Sequence, residues 1–156
     1  MDLCLGPATM LGFVATVATG TFTPPDIQTY IGVNYGYLDS AIELKNPIGK
    51  YGIEYEPTEN IRLFFEHISS PVQCNDNPGI NHLGVKFLAP VSEYSKLYIG
   101  VSAHDPGFDK KNSLSNPIIS IGGEAGDDVK FYTEYLTDVT NFDNGRFGVG
   151  VKLFFK

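Results

Sequence analysis

The sequence contains no tryptophan, two cysteines, and no run of 18 or more apolar residues. The missing run excludes a transmembrane helix, which needs roughly 20 consecutive apolar residues to cross the hydrocarbon layer. The nearest approach, Leu3–Thr23, is rich in Ala, Thr and Gly and carries no charge after Asp2. It lacks the basic start of a secretory signal, which argues against ordinary signal-peptide export. Cys4 and Cys74 lie far apart and belong to no Cys-x-x-Cys or Cys/His cluster, so no zinc is expected, nor any other metal or cofactor. Cys74 reads as a surface thiol in a polar loop. Basic residues are scarce, with 11 Lys and Arg against 18 Asp and Glu and a net charge of −7, which argues against a nucleic-acid surface. There is no P-loop, Rossmann fingerprint or EF-hand loop.

What is plentiful is glycine and aromatic residues: 17 Gly, 9 Tyr and 11 Phe. That composition favours aromatic-rich strands joined by many turns. From Pro24-Pro25 onward, apolar residues alternate with polar or small ones, the period of a strand. Eight strands are expected, near residues 28–38, 48–56, 60–70, 80–89, 95–104, 116–124, 128–137 and 146–155. One face carries Ile31, Val33, Tyr35, Ile53, Leu63, Phe65, Leu83, Val85, Ile99, Val101, Phe131 and Val149. The other carries Lys50, Glu54, Arg62, Glu66, Lys86, Lys96, Lys130, Glu134 and Lys152, mixed with glycine. The sixth strand alternates least clearly, because Ile118, Ile119 and Ile121 crowd together. His82 and His104 fall on the charged face and read as interior histidines. The chain divides into an apolar segment, 1–26, serving as plug, anchor or contact arm, and a β-domain, 27–156.

Three features place the apolar face outside. Charges of both signs with small residues suit a narrow lumen filled by ion pairs. Tyr and Phe fall near strand ends, as in the aromatic girdles of membrane barrels. Connections also alternate in length, with short turns near 57–59, 91–94 and 125–127 and longer loops near 39–47, 71–79, 105–115 and 138–145. The expected fold is therefore all-β: an antiparallel up-and-down barrel of about eight strands, of membrane type. Lipid offers no hydrogen bonds, so the sheet must close. Eight strands leave an interior that side chains just fill, so a monomer is not an open pore. The loop residues Asp76, Asp105, Asp109, Asp138 and Asp143 read as solvated tips able to meet divalent cations at a lipopolysaccharide surface. The two halves look faintly duplicated: 60–66 resembles 128–134, and Gly84-Val85-Lys86 returns as Gly150-Val151-Lys152. The last strand, Gly145–Lys156, is similar to the terminal strand of outer-membrane barrels, although Lys156 follows the aromatic Phe155.

The segment 66–81, Glu-His-Ile-Ser-Ser-Pro-Val-Gln-Cys-Asn-Asp-Asn-Pro-Gly-Ile-Asn, resembles the catalytic hairpin of PagL-type lipid A 3-O-deacylases. The resemblance implies an eight-stranded barrel with its active site on the outer, lipid-facing wall. It assigns His67 as base, Ser69 as nucleophile, and Asn81 the place of the acid that orients the histidine. All three share the apolar face of their strands. Two departures stand out: position 81 is an amide, and this hairpin lies mid-chain whereas the family has it at the end. Asp76, in the same loop, is an alternative acid. The start of the chain, an early Cys before an uncharged Gly/Ala/Thr-rich stretch, is similar to internal virion (ejection) proteins of short-tailed phages.

Three functions follow as expectations. One is a non-enzymatic barrel of a Gram-negative outer membrane, one form of which is a phage virion (ejection) component delivered to the host membrane. Another is a PagL-like lipid A esterase. The third is a soluble β-domain of a particle, with the apolar face turned inward or against other subunits. Expected partners are outer-membrane lipid or lipopolysaccharide, a further copy of the chain, or virion proteins.

Overall fold

The computed structural model describes residues 27–36, 47–70, 80–105, 117–139 and 145–155. The segment 1–26, together with Tyr37, Cys4, Cys74, Asp76, Asp109 and Asp143, lies outside the described residues. Eight strands run in chain order: β1 (Ile27–Gly36), β2 (Ile48–Thr58), β3 (Ile61–Ser69), β4 (Ile80–Ser92), β5 (Ser95–Asp105), β6 (Ile118–Gly126), β7 (Val129–Asp138) and β8 (Arg146–Phe155). Each pairs antiparallel with its neighbours, and β8 returns to β1, closing the barrel. The sixth strand resolves cleanly: Ile118 points in, and Ile121 points out. Asp105 and Asp138, read as loop tips, instead end β5 and β7.

Closure leaves no sheet edge unpaired, the condition a bilayer imposes on a spanning sheet. The turns at 59–60, 93–94 and 127–128 share one rim, while the strand ends flanking 37–47, 70–79, 106–117 and 139–145 share the other. The short rim also holds the start of β1 and the end of β8, where Thr29 pairs with Phe155.

The alternation seen in the sequence becomes an inside and an outside. Ile31, Val33, Leu63, Leu83, Phe87, Leu97, Ile99, Val101, Ile121, Val149 and Leu153 are exposed around the outer wall. Lys50, Glu54, Arg62, Glu66, Lys86, Glu124, Glu134 and Lys152 are buried in the lumen. A soluble barrel has the opposite arrangement, so this is a wall built to face lipid. Outward aromatics gather near the rims, with Tyr55, Tyr94, Phe131 and Phe155 at the short-turn end and Tyr35, Tyr51, Tyr135 and Phe147 toward the other.

Charge fills the lumen in two connected layers. Nearer the short-turn rim, Arg62 meets Glu54 at 3.3 Å, Glu124 at 2.5 Å, and Glu56. Lys152 meets Glu54 at 2.6 Å and Lys96 meets Glu56 at 2.6 Å. Deeper, Lys50 bridges Glu66 and Glu134, each at 3.2 Å, and Lys86 reaches Glu134 at 3.0 Å. The hydroxyls of Tyr30 and Tyr98 donate to Glu66 and Glu134. Cations and carboxylates nearly balance here, so the excess negative charge of the chain lies outside this network. Toward the long-loop rim the interior becomes apolar, where Ile48, Ile68, Ile80, Ile118 and Leu136 pack together.

An aromatic–glycine pairing recurs on every second strand. Tyr30, Phe64, Tyr98 and Tyr132 occupy equivalent inward sites on β1, β3, β5 and β7. Each pairs across to a glycine on the next strand: Gly52, Gly84, Gly122 and Gly150. A side chain at these glycines would collide with the ring, as a Cβ on Gly122 would lie 2.6 Å from the Tyr98 hydroxyl. Glycine thus gives each lumen ring room to lie against the wall.

The wall makes a direct prediction. Ile99 lies on the outer face in a cross-strand row with Phe87, Ile121 and Tyr135. Ile99→Arg is expected to cost about 2–4 kcal/mol of stability in lipid vesicles, the penalty for arginine at the bilayer midplane. Urea titration in vesicles measures it. A cost near zero means this face does not meet hydrocarbon.

Candidate functional site

Strands β3 and β4 carry the candidate residues to the long-loop rim. Parity puts His67, Ser69 and Asn81 outside, because Glu66, Ile68 and His82 beside them are buried inside. The ladder between β3 and β4 sets His67 directly opposite Asn81. Their side chains meet, with His67 Nδ1 2.8 Å from Asn81 Oδ1. A carbonyl oxygen only accepts, so Nδ1 carries the hydrogen and donates it. Nε2 is left with its lone pair, the arrangement of a general base.

On its other flank His67 faces Tyr51 of β2. The two rings stack at 4.8 Å between centroids with 28° between planes. This contact holds the imidazole plane while Asn81 fixes its rotation. Tyr51 was legible from the sequence as an outward residue but not as part of a site, because its place beside His67 depends on the β2–β3 register.

Ser69 lies two residues beyond His67 on the same face and opposite Gly49. A Cβ built on Gly49 would touch only the Ser69 backbone carbonyl, at 3.6 Å, so no neighbouring side chain on β2 covers the serine. Toward the middle of the wall the same face continues as Phe65 with Leu83 and Leu63 with Val85. A polar group at the rim therefore stands above an apolar track.

His82 and His104 lie on the opposite side of this wall, buried in the lumen and paired across β4 and β5 with ring centroids 5.9 Å apart. They are separated from the outer site by the thickness of the sheet. Among the described residues no group of three or more His, Cys, Asp or Glu side chains is arranged to hold a metal ion. Asp76 lies outside the described residues.

No family model matches the chain, and no curated protein matches it. Among solved structures, one from a study of the de novo design of transmembrane β-barrels is 15% identical, with a TM-score of 0.52 over 86% of this chain and 98% of that one. The de novo designed TMB2.3, solved by solution NMR, is 12% identical, with a TM-score of 0.54 over 88% and 99%. The outer membrane protein Ail of Yersinia pestis, in a phospholipid nanodisc, is 14% identical over 82% and 99%, with a TM-score of 0.36. With the two designed proteins this chain shares the fold of a transmembrane barrel.

Proposed function

We propose that this chain is an outer-membrane barrel that hydrolyses an acyl ester of lipid A at its lipid-facing wall, in the manner of PagL-type deacylases. The observation that carries this reading is the 2.8 Å contact between His67 Nδ1 and Asn81 Oδ1 on the outer face. A hydrogen bond there directs Nε2 away from the strand pair and leaves it basic. The substrate class follows from place. A lipid beside the barrel can lay its acyl chains along Leu63, Phe65, Leu83 and Val85, leaving its ester at the depth of the rim.

The chemistry is acyl transfer to serine. His67 Nε2 takes the Ser69 proton as Oγ attacks the acyl carbonyl carbon. The tetrahedral intermediate collapses, the carbon–oxygen bond to the sugar breaks, and His67 returns the proton to the departing oxygen. Water then attacks the acyl-serine with the same base, releasing a fatty acid and free Ser69. Asn81 keeps the imidazole in the productive tautomer but offers no negative charge to the imidazolium. The predicted enzyme is therefore slow.

Mass spectrometry of lipid A from Gram-negative cells expressing the chain tests the reading. Loss of one acyl chain supports it. Unchanged lipid A from cells whose membranes contain the folded barrel sinks it. The second reading, a barrel without activity, is favoured by the amide at position 81. The virion resemblance concerns residues 1–26, which lie outside the described residues.

A further inference from the structure

At several strand positions glycine is present because the barrel's own atoms leave no room for more. On the lumen side a Cβ on Gly32 would lie 2.7 Å from the Val151 carbonyl oxygen, one on Gly84 2.6 Å from the Ser102 side chain, and one on Gly150 2.5 Å from the Val33 carbonyl oxygen. Gly49 has no such reason. It lies on the outer face, opposite Val33 on one side and Ser69 on the other. The nearest atom to a Cβ there is the Ser69 carbonyl oxygen at 3.6 Å, an ordinary contact. Nor does its backbone demand glycine, since among the described glycines only Gly36 and Gly126 have positive φ. Glycine weakens a strand, because it loses the most freedom on folding and packs nothing. A strand glycine that the chain's own packing does not require marks the close approach of something from outside.

We propose that Gly49 is a specificity-determining residue that keeps a seat open beside Ser69 for the sugar half of the lipid ester. The proposal rests on the hydrolase reading. Val33, Gly49 and Ser69 form one outward row across β1, β2 and β3. Two strand spacings separate Val33 from Ser69, about 10 Å, and only the backbone of Gly49 lies between them on this face. Tyr51, the next outward residue along β2, is turned onto the His67 ring. The row is therefore a notch, with Val33 as one wall and the candidate nucleophile as the other. In the hydrolase reading the acyl chain lies along β3 and β4, on Leu63, Phe65, Leu83 and Val85. The side of Ser69 away from that track is the notch over Gly49. The alcohol half of the ester is a sugar ring, broad and rigid, so it needs width beside the serine. A side chain at position 49 would stand where the ring lies. An ester of a slim alcohol needs less of that width. The residue at position 49 thus decides which lipid esters reach Ser69 by a steric block, the repulsive half of specificity.

The test compares wild type with Gly49→Ala and Gly49→Val, each as the full chain in detergent micelles. A Cβ has room at this position, so both variants are expected to fold and to keep the unboiled band in cold SDS. Gly49→Val is expected to lower kcat/KM on lipopolysaccharide about 100-fold more than on the ethyl ester of the same fatty acid, the scale of a substrate displaced by a single ångström. Gly49→Ala is expected to fall between. In an active wild type, an equal loss on both substrates means that the change disturbs the catalytic groups and overturns the proposal, as does no loss on either. Binding supplies a second readout that needs no turnover. In a Ser69→Ala background, lipid A carried by the purified barrel is counted by native mass spectrometry. Gly49→Val is expected to weaken that retention about tenfold, the effect of forcing extra carbon into a filled space. Retention that does not depend on position 49 overturns the seat, whether or not lipid is hydrolysed. Absent hydrolysis of either ester by wild type, with retention still dependent on position 49, overturns the hydrolase reading alone.

Discussion

Asn81→Asp is expected to raise the rate of lipid ester hydrolysis by about two to four orders of magnitude, and Ser69→Ala to remove it. The reasoning starts from the contact between Asn81 Oδ1 and His67 Nδ1. When serine attacks, the imidazole becomes an imidazolium, and a carboxylate at this position would stabilise that charge. The reverse exchange, carboxylate to amide, costs about 10⁴ in turnover in a serine protease, largely through the wrong tautomer. The contact with Oδ1 already secures the tautomer, so part of that loss is absent here, and the gain falls toward the lower end. The same figure bounds the other variant. Removing a triad serine costs on the order of 10⁶ when the triad is complete, and the starting rate here is already lower. Ser69→Ala is then expected to fall at least about 100-fold, to the uncatalysed level. Release of fatty acid from purified lipopolysaccharide, followed by mass spectrometry, measures both. If Asn81→Asp leaves the rate at zero, Ser69 and His67 are not a catalytic pair.

Much of the fold was legible because a membrane barrel writes its rule into every second residue. Lys50, Glu54, Arg62, Glu66, Lys86, Glu134 and Lys152 all fell on one parity, and all are inside. Periodicity alone does not say which face is inward. The presence of both charge signs among glycines decided it, since such a set fits a narrow closed space better than a solvated surface. The apolar end of the lumen was harder to see. Ile48, Ile68, Ile80, Ile118 and Leu136 come from five strands and meet only when the register is known. The aromatic–glycine pairs were hidden for the same reason. Their spacing is visible in the sequence, but the reason for the glycines is a ring on the neighbouring strand.

The candidate site divides along the same line. His67, Ser69 and Asn81 could be picked out from a short local pattern and their shared parity. Tyr51 could not, because it is joined to His67 by a ladder, not by proximity in the chain. A one-residue slip between β2 and β3 would turn Tyr51 to the lumen side.

The lumen network sets the other large effect. Arg62→Met is expected to destabilise the barrel by about 3–5 kcal/mol, the usual cost of stranding buried charges by removing one partner. Arg62 is fully buried and lies against three carboxylates, those of Glu54, Glu56 and Glu124. Without it, Lys152 still meets Glu54, Lys96 meets Glu56 and Lys130 meets Glu124 at 3.6 Å. Those lysines are point charges and cannot reproduce the fork that holds Glu124 through two nitrogens. The carboxylates would repel across a space with little water to screen them. A loss of that size is a large fraction of the 5–15 kcal/mol that typically holds a folded protein. Urea titration in vesicles measures it, and the unboiled band in cold SDS should weaken in parallel. Adding Glu124→Gln to Arg62→Met removes one stranded charge and is expected to recover part of the loss. Arg62→Met with unchanged stability would mean that the lumen is wet enough to solvate its carboxylates, and the interior would then be a hydrated channel, not a packed core.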